Sequence, residues 1–422
     1  MRDVRRSGVL GPIVIALAAA ELGARLLAPR GRPRKPPEAD VHAHFSAEEI
    51  ERAARFARPQ RALALTRMAI DLASLTLMVR RAPRVLRSQF SPPELGGVAV
   101  GGTLAVALSL PSLPVSALAR RRAIAVGLDT QSWRGWTVDL VKAAGIQGAL
   151  AGAGGGLLIA ATRRYPRGWW LPAAAGSVLA GGLLAALSPV LLDPMFNEFA
   201  PLEEGQTRAD VLELASAAGV SVGEVYSIDA SRRTTAANAY VTGLGPTKRV
   251  VLFDTLLKRY SRDEIRLVVA HELAHVRHRD VPRGILFAAI VAPASALAVQ
   301  RLSWALSDTR NEPAALPAIA LAAALVAAPV GVIGNRLSRA IERRADAYSL
   351  ELVRAPEAFV SFERGIALQN LADLQPPKWV TGLLATHPPT VERIGAALVW
   401  QGASGREPGA GEPRAGLGAA PG

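Results

Sequence analysis

The chain has 422 residues, of which 50% are hydrophobic and 5% aromatic, and its formal net charge at pH 7 is +14. It contains no cysteine, which excludes disulfides and thiolate metal sites, so a metal would have to be bound by histidine, aspartate or glutamate. The positive charge could indicate nucleic acid, but the basic residues lie mainly in short segments beside apolar stretches, without a module that combines basic and aromatic residues. We therefore expect no nucleic-acid partner.

Seven apolar stretches are typical of membrane-spanning helices, which favours an integral membrane protein in a lipid bilayer. The first follows an arginine-rich start and resembles a signal peptide. No small-residue cleavage site precedes a soluble domain, so we interpret it as a retained span. The second and fourth stretches are the least apolar. The predicted spans cover residues 9–28, 62–79, 96–119, 139–161, 169–192, 284–306 and 312–334.

The distribution of Lys and Arg predicts how the spans are oriented. The segments after the first and third spans carry more basic residues than those after the second and fourth. With seven spans, this bias puts the N-terminus outside and the later soluble segments and the C-terminus in the cytoplasm. Arginine outnumbers lysine, and Ala, Gly and Pro are abundant, as is typical of GC-rich bacterial genomes. We therefore expect a bacterial plasma-membrane protein.

Two soluble segments remain between and after the spans. The first mixes helix and strand, with strands at 224–230 and 249–257 around the Gly- and Pro-containing turn of "NAYVTGLGPTK" (238–248), and the second is predicted to be helical. The last residues are of low complexity and predict a disordered tail. The expected domains are a membrane domain with five spans (1–192), the first half of a soluble domain (193–283), spans six and seven (284–334), its second half (335–401) and the tail (402–422).

The stretch "VVAHELAHVRHRD" (268–280) carries the most specific motif. Because residues four apart share one face of a helix, His271 and His275 can direct their imidazoles at one ion, with Glu272 beside them. This is the zinc metalloprotease arrangement, in which two histidines bind the metal and the glutamate takes a proton from the attacking water. Chance histidines on an amphipathic helix are the alternative, but this pattern arises rarely by chance with only six histidines.

The boundaries of this helix also follow from the sequence. Ser261 is a predicted N-cap with Glu264 three residues later, which forms a capping box, so the helix continues through the histidines. His278 lies between two arginines near the end of the motif, and we interpret it as a solvated residue at the helix end.

Two histidines do not complete a catalytic zinc site, which has three protein ligands and a water. His42 and His44 lie in an early polar loop and are poor candidates. In "SRAIERRADAYSLEL" (338–352), Glu342 and Asp346 are four residues apart on a predicted helix. Glu342 could be the third ligand, and Asp346 could accept the second N–H of a ligating histidine. A surface carboxylate pair beside arginines is the alternative.

These residues, together with other segments in matching order, resemble the CAAX prenyl protease 1 family of integral-membrane zinc metalloendopeptidases of the gluzincin type. The resemblance covers residues 9 to 398 and implies a mainly α polytopic membrane protein. Seven transmembrane helices would enclose a water-filled chamber, with a small α+β gluzincin-like catalytic domain formed by the two soluble halves. The further similar segments are "FSAEEIERAARFARPQRAL" (45–63, in the family's first cytosolic loop), "DPMFNEFAPL" (193–202), "DASRRTTAANAYVTGLGPTKRVVLFDTLL" (229–257), "LQNLADLQPP" (368–377) and "THPPTVERI" (386–394).

The resemblance implies one Zn²⁺ per chain, bound by His271, His275 and Glu342. Glu272 would be the general base, and Asp346 would hold a ligating histidine.

Two further roles are implied for residues outside the motif. Asn238, Ala239 and Tyr240 would lie on the edge that holds the substrate backbone extended. His387 would contact the substrate or the oxyanion near the reacting carbonyl. The alternative for His387 is an ordinary residue at a helix start, before two prolines. Polar residues within the predicted spans would face the chamber, although Arg67 and Asp71 could equally form an ion pair along one helix. These span residues are Glu21, Arg67, Asp71 and Lys142.

The sequence departs from the family at "RRTTAANAY" (232–240), where the family is richer in Ser and His, which leaves the substrate preference open. We expect hydrolysis of peptide bonds in peptide or membrane-protein substrates. It would serve either C-terminal processing of prenylated peptides or clearance of membrane and translocation-arrested polypeptides. A catalytically idle membrane chaperone or translocon-associated scaffold is the alternative. A transporter is disfavoured, because it would show internal repeats. The shorter heat-shock membrane metalloproteases are also disfavoured, because they have fewer spans before the zinc helix than the five predicted here.

Overall fold

The computed structural model describes residues 2–31, 35–85, 92–243 and 248–404. The centre of the predicted turn (244–247) and residues 405–422 of the predicted tail lie outside these ranges. Helices dominate the described part of the chain. They are α1 (Arg2–Leu27), α2 (Val41–His44), α3 (Ala47–Val85), α4 (Pro93–Ser109), α5 (Leu113–Ala125), α6 (Trp133–Arg164), α7 (Trp170–Leu191), α8 (Gln206–Ala217), α9 (Asp254–Arg259), α10 (Arg262–Arg277), α11 (Asp280–Leu306), α12 (Leu316–Val353), α13 (Pro356–Gln369) and α14 (Thr390–Ser404).

Within the described ranges, six helices are long and apolar enough to cross a membrane: α1, α3, α6, α7, α11 and α12. A seventh span is possible if α4 and α5, which are bent by 47° relative to each other, count as one broken span. Pro111 lies in the break and Pro114 in the first turn of α5, and proline interrupts a helix because it lacks the N–H donor. Each of the seven predicted spans falls on one of these elements. The prediction of a mainly helical, polytopic membrane protein is confirmed.

The membrane helices pack unevenly. In α3 and α7, few residues of the most apolar stretch are fully buried within the protein, and the others are half-buried or exposed. This is expected of spans that separate lipid on one side from an enclosed chamber on the other. Arg67 of α3 is exposed, whereas Asp71 has a buried Oδ1 without a hydrogen-bond partner among the described residues.

α4 and α6 are the most closely packed of these helices, because their backbones are in direct contact along facing glycines. A Cβ atom on Gly101 would lie 2.5 Å from the carbonyl oxygen of Ala151, and one on Gly97 would lie 2.7 Å from that of Gly155. Small residues spaced four apart allow this close approach of membrane helices.

A small sheet and the helices around it form the soluble unit. Its strands are β1 (Phe199–Pro201), β2 (Glu224–Ile228), β3 (Ala239–Thr242) and β4 (Arg249–Phe253), in the spatial order β1-β2-β4-β3. The pair β2–β4 is parallel and the other two pairs are antiparallel. β3 is therefore an edge strand that pairs on one side only, and it lies beside α10.

The hydrophobic core of this unit lies between the sheet and the helices α8 and α10. Its fully buried members include Val225 and Val250 from the sheet, Val211 from α8, and Val269 and Leu273 from α10. Because these apolar residues fix one face of α10 against the sheet, its histidines lie on another face.

Several boundaries differ from the prediction. The predicted strand at 224–230 ends at Ile228, and residues 402–404 of the predicted tail belong to α14. The predicted strand at 249–257 ends at Phe253, because Asp254 begins α9, where its carboxylate is favoured by the helix dipole and binds Lys258. Residues 47–63 belong to α3, which continues into the second span. The seventh span does not end before the carboxylate motif, since α12 is a single helix of 38 residues that carries both.

Candidate metal centre

The helix that carries the motif begins as predicted. The Ser261 Oγ accepts a hydrogen bond from the backbone N–H of Glu264, and the Glu264 carboxylate accepts one from the N–H of Ser261 at 2.7 Å. This capping box starts α10, which continues through both histidines of the motif to Arg277.

His271, His275 and Glu342 come together in space, although Glu342 is on a different helix. The Nε2 atoms of the two histidines are 3.3 Å apart. Glu342 Oε2 lies 3.3 Å from Nε2 of His271, and its Oε1 lies 3.8 Å from Nε2 of His275. The three residues each offer a ligand atom within 4.8 Å of the other two.

This geometry fits a divalent cation. Ligands at 2.0–2.1 Å from a tetrahedral ion are separated by about 3.3 Å, which is the distance between the two imidazole nitrogens. The Oε2 atom of Glu342 is buried, with Nε2 of His271 at 3.3 Å and Nε2 of His387 at 3.5 Å, so a cation shared with these imidazoles would compensate its negative charge. Two histidines and a glutamate form a common ligand set for catalytic zinc.

Each imidazole is also held from behind by a carboxylate. The Nδ1 of His271 is 2.9 Å from Oδ1 of Asp346, and the Nδ1 of His275 is 3.0 Å from Oδ2 of Asp280. An Nδ1–H directed at a carboxylate fixes the tautomer that leaves the lone pair of Nε2 pointing to the centre. Asp346 was expected in this position, whereas Asp280 was missed.

Arginines bind both of the carboxylates that contact the imidazoles, Asp346 and Asp280. Arg393 binds the two carboxylate oxygens of Asp346 at 2.5 and 2.9 Å and forms an ion pair with the buried Glu363 at 2.6 Å. On the other side, Arg344 and Arg283 donate to Oδ1 of Asp280. The two carboxylates are thus held in place by arginines from α11, α12 and α14.

The pKa shifts of His271 and Glu272 on α10 favour a positive charge between His271, His275 and Glu342. Burial lowers the pKa of His271, but hydrogen bonds and charges from Asp346 and Glu342 outweigh it and raise the pKa to about 10. Burial raises the pKa of Glu272, and the charges of His271 and His275 only partly oppose this. A proton or a metal ion is therefore strongly held between these residues.

His387 lies at the rim of the centre. Its Nε2 is 3.5 Å from Oε2 of Glu342, and 64% of its side chain is exposed. The segment before it is held by Arg339, which donates to the carbonyls of Ala385 and Gly382. His387 also precedes α14, as an ordinary helix-start residue would, but its ring is directed towards the carboxylate of Glu342.

The Asn-Ala-Tyr triplet leads into the edge strand beside α10. The carbonyl of Asn238 accepts a hydrogen bond from the N–H of Phe253, and its side chain contacts the N–H of Ala239. The hydroxyl of Tyr240 lies 3.5 Å from Asp193, and burial together with that charge raises the pKa of Tyr240 to about 12. The triplet therefore places the backbone of β3 beside α10, the helix that carries both histidines.

The remaining histidines have other contacts. His278 forms the C-cap of α10 and packs edge-on against the ring of Tyr348, so it is less solvated than expected. Burial and nearby arginines lower its pKa. His42 and His44 form part of α2, where the carbonyl of His44 binds Arg364.

The known proteins that this chain resembles are metalloproteases of one family. Residues 201–401 match peptidase family M48. The uncharacterized metalloprotease YhfN of Bacillus subtilis is 30% identical over 300 residues, which is 69% of this chain and 70% of that protein. The probable CAAX prenyl protease 1 of Schizosaccharomyces pombe is 28% identical over 284 residues, 64% of this chain and 58% of that protein. A protease HtpX homolog of Polynucleobacter necessarius is 33% identical over 224 residues, 49% of this chain and 76% of that protein.

The fold has a counterpart among solved structures. The crystal structure of S. mikatae Ste24p matches with a TM-score of 0.74 at 20% identity, covering 93% of this chain and 98% of that chain. The fold and the relatives define an integral-membrane metalloprotease. The chain belongs to peptidase family M48 and, within it, to the CAAX prenyl protease 1 family, as the sequence predicted. It spans 58% of the fission-yeast relative and 34% of the CAAX prenyl protease 1 of Saccharomyces cerevisiae.

Proposed function

We propose that this chain is a zinc-dependent membrane endopeptidase whose single Zn²⁺ is held by His271, His275 and Glu342. The observation that carries the proposal is the separation of 3.3 Å between the two Nε2 atoms, combined with a carboxylate behind each Nδ1. When bound, zinc would polarise the scissile carbonyl and increase the acidity of the attacking water.

Residues of the chain would transfer the proton, orient the imidazoles and stabilise the negative charge on the carbonyl oxygen. Glu272 takes the proton from the attacking water and later donates it to the leaving amine, a role that suits a carboxyl whose pKa is raised by burial. Asp346 and Asp280 keep the imidazoles oriented. His387, at the rim, donates a hydrogen bond to the carbonyl oxygen as negative charge develops there.

The substrate would bind as an additional strand. β3 has an unpaired edge beside α10, and main-chain hydrogen bonds to such an edge hold a peptide in the extended form that a protease needs. The peptide would reach the centre from the chamber between the spans. We propose peptides and membrane-protein segments as substrates, in either C-terminal processing of prenylated peptides or membrane-protein quality control.

The proposal includes the orientation predicted from Lys and Arg. The N-terminus lies outside and the catalytic residues face the cytoplasm of a bacterial plasma membrane. The similarity to a metalloprotease of Bacillus subtilis and to a probable CAAX prenyl protease 1 supports a protease, and the first of these relatives is bacterial.

One extended peptide, made with and without a farnesylated C-terminal CAAX cysteine, tests the proposal. We expect zinc-loaded protein to cleave the peptide and chelator-treated protein to leave it intact. Cleavage of both forms would indicate a general membrane endopeptidase, and strong preference for the farnesylated form would indicate CAAX processing. If zinc-loaded protein cleaves neither form, the idle-scaffold alternative is favoured.

A further inference from the structure

The segment that leads into β3 is paired with the loop between two membrane helices. It runs antiparallel to the loop between α5 and α6. The N–H of Thr130 donates to the carbonyl of Arg233 at 3.0 Å, and the N–H of Thr235 donates to the carbonyl of Leu128 at 3.1 Å. Backbone hydrogen bonds therefore join the soluble unit to the membrane domain directly before the proposed substrate edge.

Threonine side chains strengthen this pairing. The hydroxyl of Thr234 donates to the carbonyl of Leu128, and that of Thr235 donates to the carbonyl of Gly127, each at 3.0 Å. Both threonines belong to "RRTTAANAY", the stretch in which the sequence departs from the family. The residues of this departure are therefore engaged with the membrane domain.

Arg233 extends the contact from the loop to a membrane helix. Its Nε donates to Oδ2 of Asp139 on α6 at 3.0 Å, and only 22% and 21% of the two side chains are exposed. The same carboxylate oxygen accepts a hydrogen bond from Gln131 of the loop at 2.6 Å. One turn further along α6, Lys142 donates to the carbonyl of Met195, which precedes β1, at 2.9 Å. The first turns of α6 therefore face the soluble unit.

The end of the same segment is fixed to the sheet. The hydroxyl of Thr255 in α9 donates to the carbonyl of Ala236 at 2.7 Å. The N–H of Phe253 in β4 donates to the carbonyl of Asn238 at 3.1 Å, and β3 begins at the next residue. The start of β3 is thus tied to β4 on one side and, through Arg233, to α6 on the other. Both sets of contacts determine where the edge lies relative to the membrane helices.

We propose that Arg233 is a positioning residue for the substrate. Through Asp139 it holds the edge of β3 in line with the membrane helices, so that a peptide arriving from the chamber pairs with β3 beside α10. The proposal rests on the proposed peptidase function and on β3 as its substrate edge. The proposed metal ligands lie on α10 and α12 and are held by other carboxylates. Loss of the ion pair should therefore lower substrate affinity and leave the metal centre unchanged.

Peptide affinity tests the proposal without turnover. One extended peptide is titrated into the zinc-loaded Glu272→Gln protein, which serves as the parent. We expect Arg233→Gln to weaken binding by about tenfold, within the range for changes that act through neighbouring contacts, and Asp139→Asn to do the same. The two changes together should cost no more than either alone, because each breaks the same ion pair. Arg233→Lys keeps a cation facing Asp139 and should lose less.

The neighbouring arginine supplies a matched control. Arg232 pairs with Glu198 at 3.1 Å, but 50% and 80% of these side chains are exposed. Arg232→Gln removes the same charge from the same segment and leaves the contact with α6 intact, so the affinity should stay that of the parent. In protein that retains Glu272, Arg233→Gln should raise KM while kcat and the zinc content stay nearly unchanged. General destabilisation would not give that split.

Unchanged peptide affinity of Arg233→Gln would overturn the proposal, as would losses from Arg233→Gln and Asp139→Asn that add in the combined variant. Loss of zinc from Arg233→Gln would also overturn it, because the ion pair would then support the metal centre rather than the edge. If Arg233→Gln does not fold, Arg233→Lys and Asp139→Asn supply the same comparison. If the affinity differences are found but zinc-loaded wild type cleaves nothing, the peptidase function fails while the positioning role stands.

Discussion

His275 and Asp280 are bound to each other across the junction of two helices, with Nδ1 and Oδ2 3.0 Å apart. Arg279, between α10 and α11, adopts a left-handed conformation with φ 54°, which is uncommon for a residue with a side chain. This turn directs Asp280 back towards the histidine. The first residue of a membrane-spanning helix therefore positions a residue of the metal centre.

The first prediction concerns this contact. Asp280→Asn removes the charge behind His275 while keeping the size of the side chain, and such changes behind a ligand weaken metal binding by about 10- to 100-fold. Zinc affinity measured by competition with a chelator should show this loss. Asp263→Asn, at an exposed position in the first turn of α10, serves as control and should bind zinc as wild type does. An unchanged affinity of Asp280→Asn would contradict the role assigned to this contact.

Glu342→Gln should abolish stoichiometric zinc binding, because it replaces the proposed anionic ligand with a neutral amide. Zinc content after dialysis should fall from one ion per chain to well below one. Zinc should also raise the unfolding temperature of wild type, as a ligand of the native state does, but not that of the variant. A variant that retains one tightly bound zinc would show that Glu342 is not a ligand.

The pKa of His271, raised to about 10, predicts proton release when zinc binds. Without metal, the imidazole is protonated at pH 7, because the carboxylates of Asp346 and Glu342 outweigh the effect of burial. In the metal-free protein this proton stabilises the fold fully below pH 6.5, and the contribution is lost as the pH rises through about 10. Zinc must displace the proton, so its affinity should rise about tenfold per pH unit across neutral pH. Calorimetry in buffers of different ionisation enthalpy should detect about one proton released per zinc at pH 7. Release of none would contradict this charge state.

Much of the site could be predicted because it depends on local periodicity. His271, Glu272 and His275 follow from one helix, and Glu342 with Asp346 follow from another. Asp280 could not be predicted, because its contact depends on the left-handed conformation of Arg279. Its spacing of five residues from His275 was the only signal. The contact between Arg393 and Glu363 joins two helices brought together only by tertiary packing, so no local pattern indicated it.

The spans were predictable from hydropathy, but the continuity of the helices was not. Hydropathy predicts that the seventh span ends at residue 334, where the apolar residues end. The helix α12 continues for five more turns, because its polar part is buried against α10 and α14. The repeated spacing of four between Gly97 and Gly101, and between Gly152 and Gly156, was a readable signal for the contact of α4 with α6.

Gly101→Ala should lower the unfolding temperature in detergent. The added Cβ would lie 2.5 Å from the carbonyl oxygen of Ala151, so α4 and α6 must move apart at a cost of about 1–3 kcal/mol. Gly154→Ala on α6 is the matched control, since nothing lies within 4 Å of its Cβ position. Alanine favours the helix there by up to about 1 kcal/mol. Equal behaviour of the two variants would contradict the close backbone contact.

Asp210 should stabilise the soluble unit through its contacts with α10. Its hydrogen bonds to Arg262 lower its pKa from 3.8 to about 2, in spite of burial. A lowered pKa stabilises the fold above pH 3.8, and the contribution of about 2 kcal/mol is lost as the pH falls towards 2. Thermal unfolding of Asp210→Asn should show this loss at pH 7 and a smaller difference from wild type near pH 3. Glu213→Gln, whose carboxylate is largely exposed, should change stability by less than about 0.5 kcal/mol.

The most direct test of the proposed catalytic centre is a paired measurement on Glu272→Gln. The variant keeps all three proposed zinc ligands and loses only the group that is proposed to take the proton from water. We predict one zinc per chain in both proteins, with peptide cleavage reduced in the variant by at least about 100-fold, the lower range for general-base catalysis. Cleavage by the variant at the wild-type rate, with zinc bound, would contradict the account.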